Sequence, residues 1–441
     1  MFGRHAGTTS WLTRPLAVFM FACFAVASAA RGQYVLEDAH DPHRYEPGVT
    51  ALPFAFYGDP YRLAGGVAGD ASGLFQPQTD FFGIALGSSN SSYGILGGME
   101  NLQLKPINRL FLDWELAYFR YTEYEGYFLG APGFPSQVPG SNDSTLSNFV
   151  DTTLNDAWGH VTLKYLLPIG GGRETIINHY VLEGGIPVSG FTGGNGWNPL
   201  LTGRTFAELT PFYEYQDVRN ADLPRRHFDT NGVRLGVTYD NADFPLNPTS
   251  GNVSRFTLSR DFGIFRSSNP WTTLEGEFSQ YVPLGRSRFF RQQVLALDGW
   301  TSFSPTWHQG GNPNRPDVTT APPYYEGATL GGPQRLRGFP ENRFHDRAAV
   351  YGAAELRLIP EWNPLGKIPI LKPADITWMQ FVIFAEGGRV ADGYSYDKLF
   401  HEMKADVGVG MRVLSKDTLF RVDLAFSSEG YSIWVNLGQP F

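Results

Sequence analysis

The C-terminal part of the chain alternates apolar and polar positions with a period of two. In the last segment one face carries Tyr431, Ile433, Val435, Leu437 and Phe441, and the other carries Ser432, Trp434, Asn436, Gly438 and Pro440. This period predicts an extended strand with one apolar side. Such a strand with an aromatic last residue is typical of an outer-membrane β-barrel, although an edge strand of a soluble β-sandwich also fits.

Four segments before it alternate in the same way, and each has an apolar face and a charged face. These segments are 347–359, 379–386, 404–414 and 419–427. Their charged faces carry Glu355, Arg357, Glu386, Asp406, Arg412, Arg421 and Asp423. A strand with one apolar face and one charged face suits a barrel wall between lipid and a wet lumen.

Upstream segments also alternate and are separated by Pro, Gly and Asn turn signals. They are 61–69, 81–88, 93–104, 109–122, 157–167, 176–188, 204–217, 231–240, 251–262, 271–282 and 290–302. Together with the last five, they predict an all-β, transmembrane antiparallel β-barrel of 16 strands. An even number places both termini on the periplasmic side. The long segments 123–156 and 189–203 cannot both be outer loops if every strand is right, so a conflict remains before residue 230.

The N-terminus has the order of a secretory signal peptide. Arg4 and Arg14 precede an apolar stretch from Leu16 to Val26, and small residues follow up to Ala30. This order predicts a signal peptide over 1–30 and export from the cytoplasm, whereas the apolar stretch is short for a membrane anchor. The single cysteine, Cys23, lies within it. The mature chain is therefore predicted to contain no disulfide, thiolate metal site or cysteine nucleophile.

Composition points in the same direction. Charged residues are only 18% of the chain, aromatic residues reach 15%, and there are 51 glycines. A net charge of −8 gives no basic patch for nucleic acid. After the signal peptide no run of apolar residues is long enough for a spanning helix. Since the membrane interior requires every backbone polar group to be paired, closed strands are the remaining way to span it.

One long segment, 303–346, is rich in Pro and Gly and ends in Leu336-Arg337-Gly338-Phe339. Here the chain resembles the outer-membrane assembly and translocation barrels, the group of BamA and TamA, also called bacterial surface antigen proteins. That family carries a V/I-R-G-F/Y motif on a long loop folded into the lumen. Three further elements match in the order of the family: a D…P…P-x-x-G turn over 240–251, an F-x-D-x-G-like element over 384–388, and G-x-G-x-R over 408–412.

The resemblance implies a contact inside the barrel. It implies that Arg337, next to Gly338 and Phe339, reaches across the lumen to Glu386 of the strand that also carries Gly388. Glu386 is one methylene longer than the family's Asp. A guanidinium and a carboxylate in a confined lumen form a pair of donor and acceptor forks that can hold a loop. The alternative is that Arg337 and Glu386 are ordinary lumen charges.

The resemblance also divides the chain. Family members usually carry POTRA modules before the barrel, but residues 31–60 are too short for one, which predicts a short periplasmic N-terminal segment and a barrel over 61–441. Docking through POTRA domains is then absent, so periplasmic or lipoprotein partners are expected to replace it. The acidic residues and histidines of 31–60 have no standard metal-ligand spacing, and no cofactor or metal is predicted.

For function, the resemblance implies a non-enzymatic outer-membrane protein that inserts or moves polypeptides, with unfolded outer-membrane proteins as clients and lipid around it. The seam between the first and last strands is the expected working part. Its predicted features are Tyr431, Leu437, Gly438 and Phe441 in the closing strand, where Pro440 cannot donate a ladder hydrogen bond. Fraying at a chain end explains Gly438 and Pro440 equally well.

Two other functions agree with fewer of these sequence features. A passive channel or structural barrel would keep the fold without the assembly role. A hydrolase would need a serine beside a base, but the histidines are scattered and no serine lies in a nucleophile elbow. The glycines at 170–172 are followed by no G-K-S/T, so they predict a turn and no phosphate-binding loop.

Overall fold

The computed structural model describes residues 33–41, 43–58, 60–312, 315–415 and 418–441. The predicted signal peptide, including Cys23, lies outside the described residues. The described chain is almost entirely β, and its main element is an antiparallel sheet of sixteen strands. No helix in the described ranges combines the length and the apolar character needed to cross a membrane.

The sixteen strands follow one another in the sheet in chain order, so each strand between the first and the last pairs with the strand that precedes it and the one that follows it. We number them β1 (Gly48–Gly58), β2 (Arg62–Ser72), β3 (Asp80–Ser88), β4 (Tyr93–Gln103), β5 (Leu110–Gly126), β6 (Val150–Leu166), β7 (Arg204–Arg219), β8 (Arg226–Asp240), β9 (Gly251–Asp261), β10 (Trp271–Gly285), β11 (Phe290–Phe303), β12 (Ala348–Pro360), β13 (Ile376–Ala391), β14 (Lys404–Ser415), β15 (Thr418–Ser427) and β16 (Gly430–Leu437). The predicted β fold and the strand count of sixteen are confirmed.

The two faces of the sheet differ as the alternation predicts. Along β13, Phe381 and Ile383 are exposed on the outside, whereas Val382 and Phe384 are buried on the inside. On β15, Arg421 and Asp423 face the inside and are fully buried. Apolar side chains thus cover the outer face, which suits contact with lipid, and charges point into the lumen.

The correct total conceals two errors that offset each other. The segment 176–188, predicted as a barrel strand, is outside the large sheet, because Gly184 and Gly185, both at positive φ, turn it into a short hairpin. The true first strand is Gly48–Gly58, within the segment predicted as a periplasmic lead, so the sheet begins before residue 61. With these corrections the segment between β6 and β7 lies on the periplasmic side, and the conflict before residue 230 disappears.

A small second sheet lies at the periplasmic end. We call it the cap sheet; its strands are Tyr34–Asp38, Asn178–Glu183 and Ile186–Ser189, with the first two parallel. Its residues Leu36, Tyr180 and Leu182 pack in one apolar cluster with Phe244 of the β8–β9 turn and Trp378 of β13. The cap sheet therefore bridges side chains from separate parts of the barrel rim.

The other elements are short. They are the strand pairs His308–Asn312 with Arg315–Thr319 and Thr329–Leu330 with Phe344–His345, the 3-10 turns Gly170–Arg173, Leu365–Lys367 and Pro369–Ala374, and one helical turn, Tyr396–Leu399. Both strand pairs belong to the long loop between β11 and β12. In this loop Glu326 pairs with Arg234 of β8, and Arg335 pairs with Glu277 of β10. Because both partners are on the inner face, the loop occupies the lumen.

Candidate functional site: the loop tip and the seam

The tip of the long loop, Leu336–Phe339, lies inside the barrel against the last five strands. Leu336, Arg337 and Phe339 have no exposed surface. Leu336 has a positive φ of 55°, which turns the chain so that the following residues point at the wall. The structure therefore brings the predicted residues of the motif to the predicted side of the lumen.

Arg337 is the centre of this contact. Its Nε donates to Glu386 Oε1 at 2.9 Å and its backbone N–H donates to Glu386 Oε2 at 2.6 Å. Its Nη1 donates to Asp423 Oδ2 at 2.9 Å, and its Nη2 lies 2.8 Å from Glu355 Oε1. The guanidinium also stacks over the Phe384 ring at 3.6 Å. Arg337 and Glu386 are thus together, and two further carboxylates join them.

The rest of the tip reaches the strands nearest the seam. Gly338 N–H donates to Asp406 of β14 at 2.9 Å, and the Ser427 hydroxyl of β15 donates to Gly338 O at 2.7 Å. Trp434 of β16 donates its indole N–H to Arg337 O at 2.6 Å. The tip consequently bonds to each of the five strands β12–β16.

Further arginines surround the same carboxylates. Arg357 Nε and Arg412 Nη2 lie 2.8 Å and 3.4 Å from Glu355, and Arg412 Nη1 lies 2.5 Å from Asp423. None of these side chains is exposed. A buried charge is tolerated only when partners compensate for its lost hydration, and in this network Glu355, Glu386 and Asp423 each lie next to at least one arginine.

Sequence reasoning identified the face of these extra residues but missed their partners. Glu355, Arg412 and Asp423 were assigned to the lumen by alternation, yet nothing in a single sequence shows which lumen charges meet. Gly388 was found through the motif. A Cβ there would approach Leu330 and Leu336 of the loop at 3.0 and 3.5 Å, so the glycine allows the loop to lie close to β13.

Gly338 offers a test of this close packing. A Cβ at Gly338 would lie 2.6 Å from Asp406 Cβ and 2.9 Å from Ser427 Cβ. We expect Gly338→Ala to destabilise the folded barrel by about 1–3 kcal/mol, as overpacking does. The measurement is the unfolding midpoint of the purified protein in urea. Gly299→Ala, where a Cβ meets nothing within 4 Å, is the control; equal midpoints for the two variants would contradict the prediction.

The seam is the second part of the site. Among the described residues, no backbone ladder joins β1 to β16. β1 contains Pro53, which lacks a donor and is tolerated on an edge strand. β16, with eight residues, is the shortest strand of the large sheet. The two edges therefore lack the hydrogen bonds that join all other neighbours.

Side-chain packing takes the place of the ladder. Tyr431 and Ile433 of β16 are exposed on the outer face, whereas Leu437 packs against an apolar cluster that includes Phe56 of β1 and Ile84 of β3. Phe56 and Ile84 are on the lumen side of their strands, but Leu437, opposite Phe420, is on the outer side of β16. The two ends of the sheet thus overlap, with the last strand inside the first.

The prediction that Phe441 continues the last strand is wrong. The strand ends at Leu437, and Gly438, at a φ of 74°, turns the chain inwards. Phe441 packs beside Val294 and Ala296 in the lumen, with the Arg357 guanidinium 5.0 Å from its ring centroid. The terminal residues thus leave the seam and pack in the lumen, where the Phe441 ring lies next to the charged side chain of Arg357.

The space beneath the loop is a cavity of about 340 Å³. It is lined on one side by Ala68 and Ile84 and on the other by Phe420, Leu437 and the terminal residues. The cavity therefore reaches the overlapped seam.

Residues 202–441 match the Omp85 superfamily domain. Solved structures similar to this chain include BamA from Haemophilus ducreyi lacking POTRA domains 1–3 (13% identity, TM-score 0.48) and CdiB from Acinetobacter baumannii (11%, 0.47) and Escherichia coli (10%, 0.49). Each match covers 88% of this chain and, in that order, 68%, 58% and 61% of the other chain. No curated protein matches the sequence.

Proposed function

The chain belongs to the Omp85 superfamily, and on that premise we propose that it assists the insertion or translocation of polypeptides at the outer membrane through the seam between β1 and β16. The superfamily is a class of assembly and transport barrels of the Gram-negative outer membrane. The observation that carries the proposal is that, in the part of the chain that the structure describes, no ladder joins the first and last strands.

An unpaired edge can accept a strand. The exposed N–H and C=O groups of an edge strand pair with an incoming extended segment, as in β-strand addition. In a membrane this pairing is especially favourable, because a backbone group without a partner costs several kcal/mol there. A client strand that enters the seam would satisfy its own backbone and that of β1 or β16.

The loop tip holds β16, one of the two edge strands of the seam, in place. β16 has a ladder only to β15, but the Trp434 contact to Arg337 O and the buried Arg337 network hold β12–β16 as one unit. The hydrogen bonds and ion pairs described for Arg337 and Gly338 go to strands β12–β16. We therefore propose that β1 moves away while β16 stays with the loop, and that Arg337, Gly338, Phe339, Glu386 and Gly388 act as the lock that keeps it there.

The proposal is tested by reconstitution. The purified chain is placed in liposomes, a small outer-membrane barrel unfolded in urea is added, and its folded fraction is followed by electrophoretic mobility. We expect faster folding than in liposomes that carry the same mass of a porin. Equal rates would overturn the proposal. Solute conductance without any effect on client folding would identify the passive channel instead.

The identity of the partners follows the same proposal. We propose unfolded outer-membrane proteins as clients and periplasmic proteins or lipoproteins in the place of POTRA domains. The cap sheet, at the periplasmic end, is the surface that such a partner would meet first. That the chain performs no enzymatic reaction stays a prediction.

A further inference from the structure

The outer surface of the barrel carries a groove that the proposed function does not use. It lies across β4–β7 and has a volume of about 820 Å³. Its outward-facing lining includes Gly97, Leu116, Gly159, Val161 and Tyr213. Leu116, Val161 and Tyr213 are exposed, so the groove opens towards the membrane. This volume is in the range of sites that bind small organic molecules.

The groove has a backbone origin. The ladder between β6 and β7 pairs Leu163 with Leu209 and His160 with Phe212 but has no pair at Thr210 or Pro211. Pro211 has no N–H and cannot donate to the neighbouring strand. Gly97 leaves part of the floor without a side chain, whereas the Leu116 side chain lies over Gly159. The groove thus results from two residues of the barrel wall, since Pro211 interrupts the ladder and Gly97 has no side chain.

A polar row closes the groove at its extracellular end. Arg120, Asn155 and Asp217 are register partners on β5, β6 and β7. Arg120 Nη1 donates to Asn155 Oδ1 at 3.0 Å, and Asn155 Nδ2 donates to Asp217 Oδ2 at 3.5 Å. Two more arginines, Arg219 and Arg225, bind Asp217 at 2.7 and 2.5 Å. The row therefore holds three guanidinium groups and one carboxylate.

These arginines face the membrane surface and can bind a ligand. The side chains of Arg219 and Arg225 are 54% and 57% exposed although each already contacts Asp217. Tyr93 is the register partner of Arg120 on the outer face, and its ring centroid lies 6.1 Å from that of Tyr118, which is one outward position closer to the groove. Aromatic residues in this position mark the level of lipid headgroups. An apolar groove below a cationic row fits a molecule with an acyl chain and an anionic head.

We propose that this groove binds a phosphorylated glycolipid of the outer leaflet, the lipid A part of lipopolysaccharide. One acyl chain would lie over Gly97 and against Leu116, and a phosphate would accept hydrogen bonds from Arg120, Arg219 and Arg225. Guanidinium groups match phosphate oxygens with parallel donors. The row lies at the end of the strands that carries the β7–β8 hairpin, opposite the chain termini, which is the leaflet where this lipid resides.

The test measures lipid binding to the full-length protein in detergent by native mass spectrometry. Lipid A with both phosphates, dephosphorylated lipid A and phosphatidylglycerol are the probes. In the double variant Arg120→Gln/Arg225→Gln, Arg219 remains as a partner for Asp217. Gly97→Leu fills the groove, since a Cβ there has no atom nearer than 3.7 Å. The control is Arg286→Gln/Arg288→Gln, which removes two exposed arginines from the periplasmic β10–β11 turn.

We expect the wild-type protein and the control to bind bisphosphorylated lipid A at least tenfold more tightly than the double variant does. Gly97→Leu should weaken binding to a similar degree, and dephosphorylated lipid A should bind weakly to all. Unchanged heat-dependent electrophoretic mobility shows that each variant is folded. Equal affinity of all four proteins for lipid A would overturn the proposal. Equal binding of phosphatidylglycerol and lipid A would overturn the assignment to lipopolysaccharide.

Discussion

Replacing Arg337 with Gln is expected to destabilise the barrel more than any other single change at the loop tip. The substitution removes a buried cation from Glu355, Glu386 and Asp423 at once. Breaking a buried ion pair from one side typically costs about 3–5 kcal/mol, because the remaining charges lose their compensation. We expect a fall of roughly 5 °C in the temperature at which the protein loses its folded electrophoretic mobility.

Two variants make this result specific. Arg337→Lys should recover little of the loss, since an ammonium cannot supply the fork of donors that three carboxylates use. Arg225→Gln removes an exposed arginine but leaves Asp217 its ion pair with Arg219, so stability should change much less. A double-mutant cycle with Glu386→Gln then measures the coupling between the two residues. Absence of coupling would show that Arg337 and Glu386 are ordinary lumen charges.

A covalent bridge between β1 and β16 is expected to abolish the assistance that the protein gives to the folding of clients. One cysteine in β1, at Ala55, and one in β16, at Ile433, are bridged by a bifunctional thiol reagent that a reductant cleaves. The only natural cysteine, Cys23, lies in the predicted signal peptide, so the introduced pair reacts alone in the mature protein. If clients enter between β1 and β16, the bridge should lower the client-folding rate at least tenfold, and reductant should restore it.

The control for this experiment bridges strands that are already paired. Leu424 and Ile433 are register partners in the β15–β16 hairpin, so a bridge between cysteines at these positions leaves the seam free. It should leave client folding unchanged. A seam bridge that forms fully and has no effect would rule out the seam as the client path, whereas an equal loss in both proteins would show damage by the reagent.

Much of the barrel wall could be predicted from the sequence, because strands and turns depend on residues that are close together in the chain. An alternation of period two and turn residues define strands such as β13–β15, and the same alternation assigns Glu355, Arg412 and Asp423 to the lumen. The motif around Arg337 gave the pairing with Glu386 through resemblance. The two further carboxylates that contact Arg337 could not be predicted, because the contacts depend on where the loop tip lies against strands β12–β15.

The errors have physical reasons. Asn178–Glu183 alternates like a barrel strand, but alternation does not reveal which sheet a strand joins. Gly48–Gly58 was missed because Pro53 weakens a strand pattern, although a proline is acceptable on the edge where this strand lies. Phe441 was placed on the lipid face because the period was continued past Gly438, whose positive φ ends it.

Hydrogen exchange at the seam tests the central claim most directly. In the folded protein in lipid, we expect amides of β1 and β16 that lack a ladder partner to exchange with deuterium far faster than those of the doubly paired strands β13 and β14, because pairing protects an amide. During the exchange, the hydrogen bond from Trp434 to Arg337 O should keep the lumen side of β16 in place. Protection along β1 and β16 equal to that of β13 and β14 would mean a closed ladder at the seam and would contradict the account.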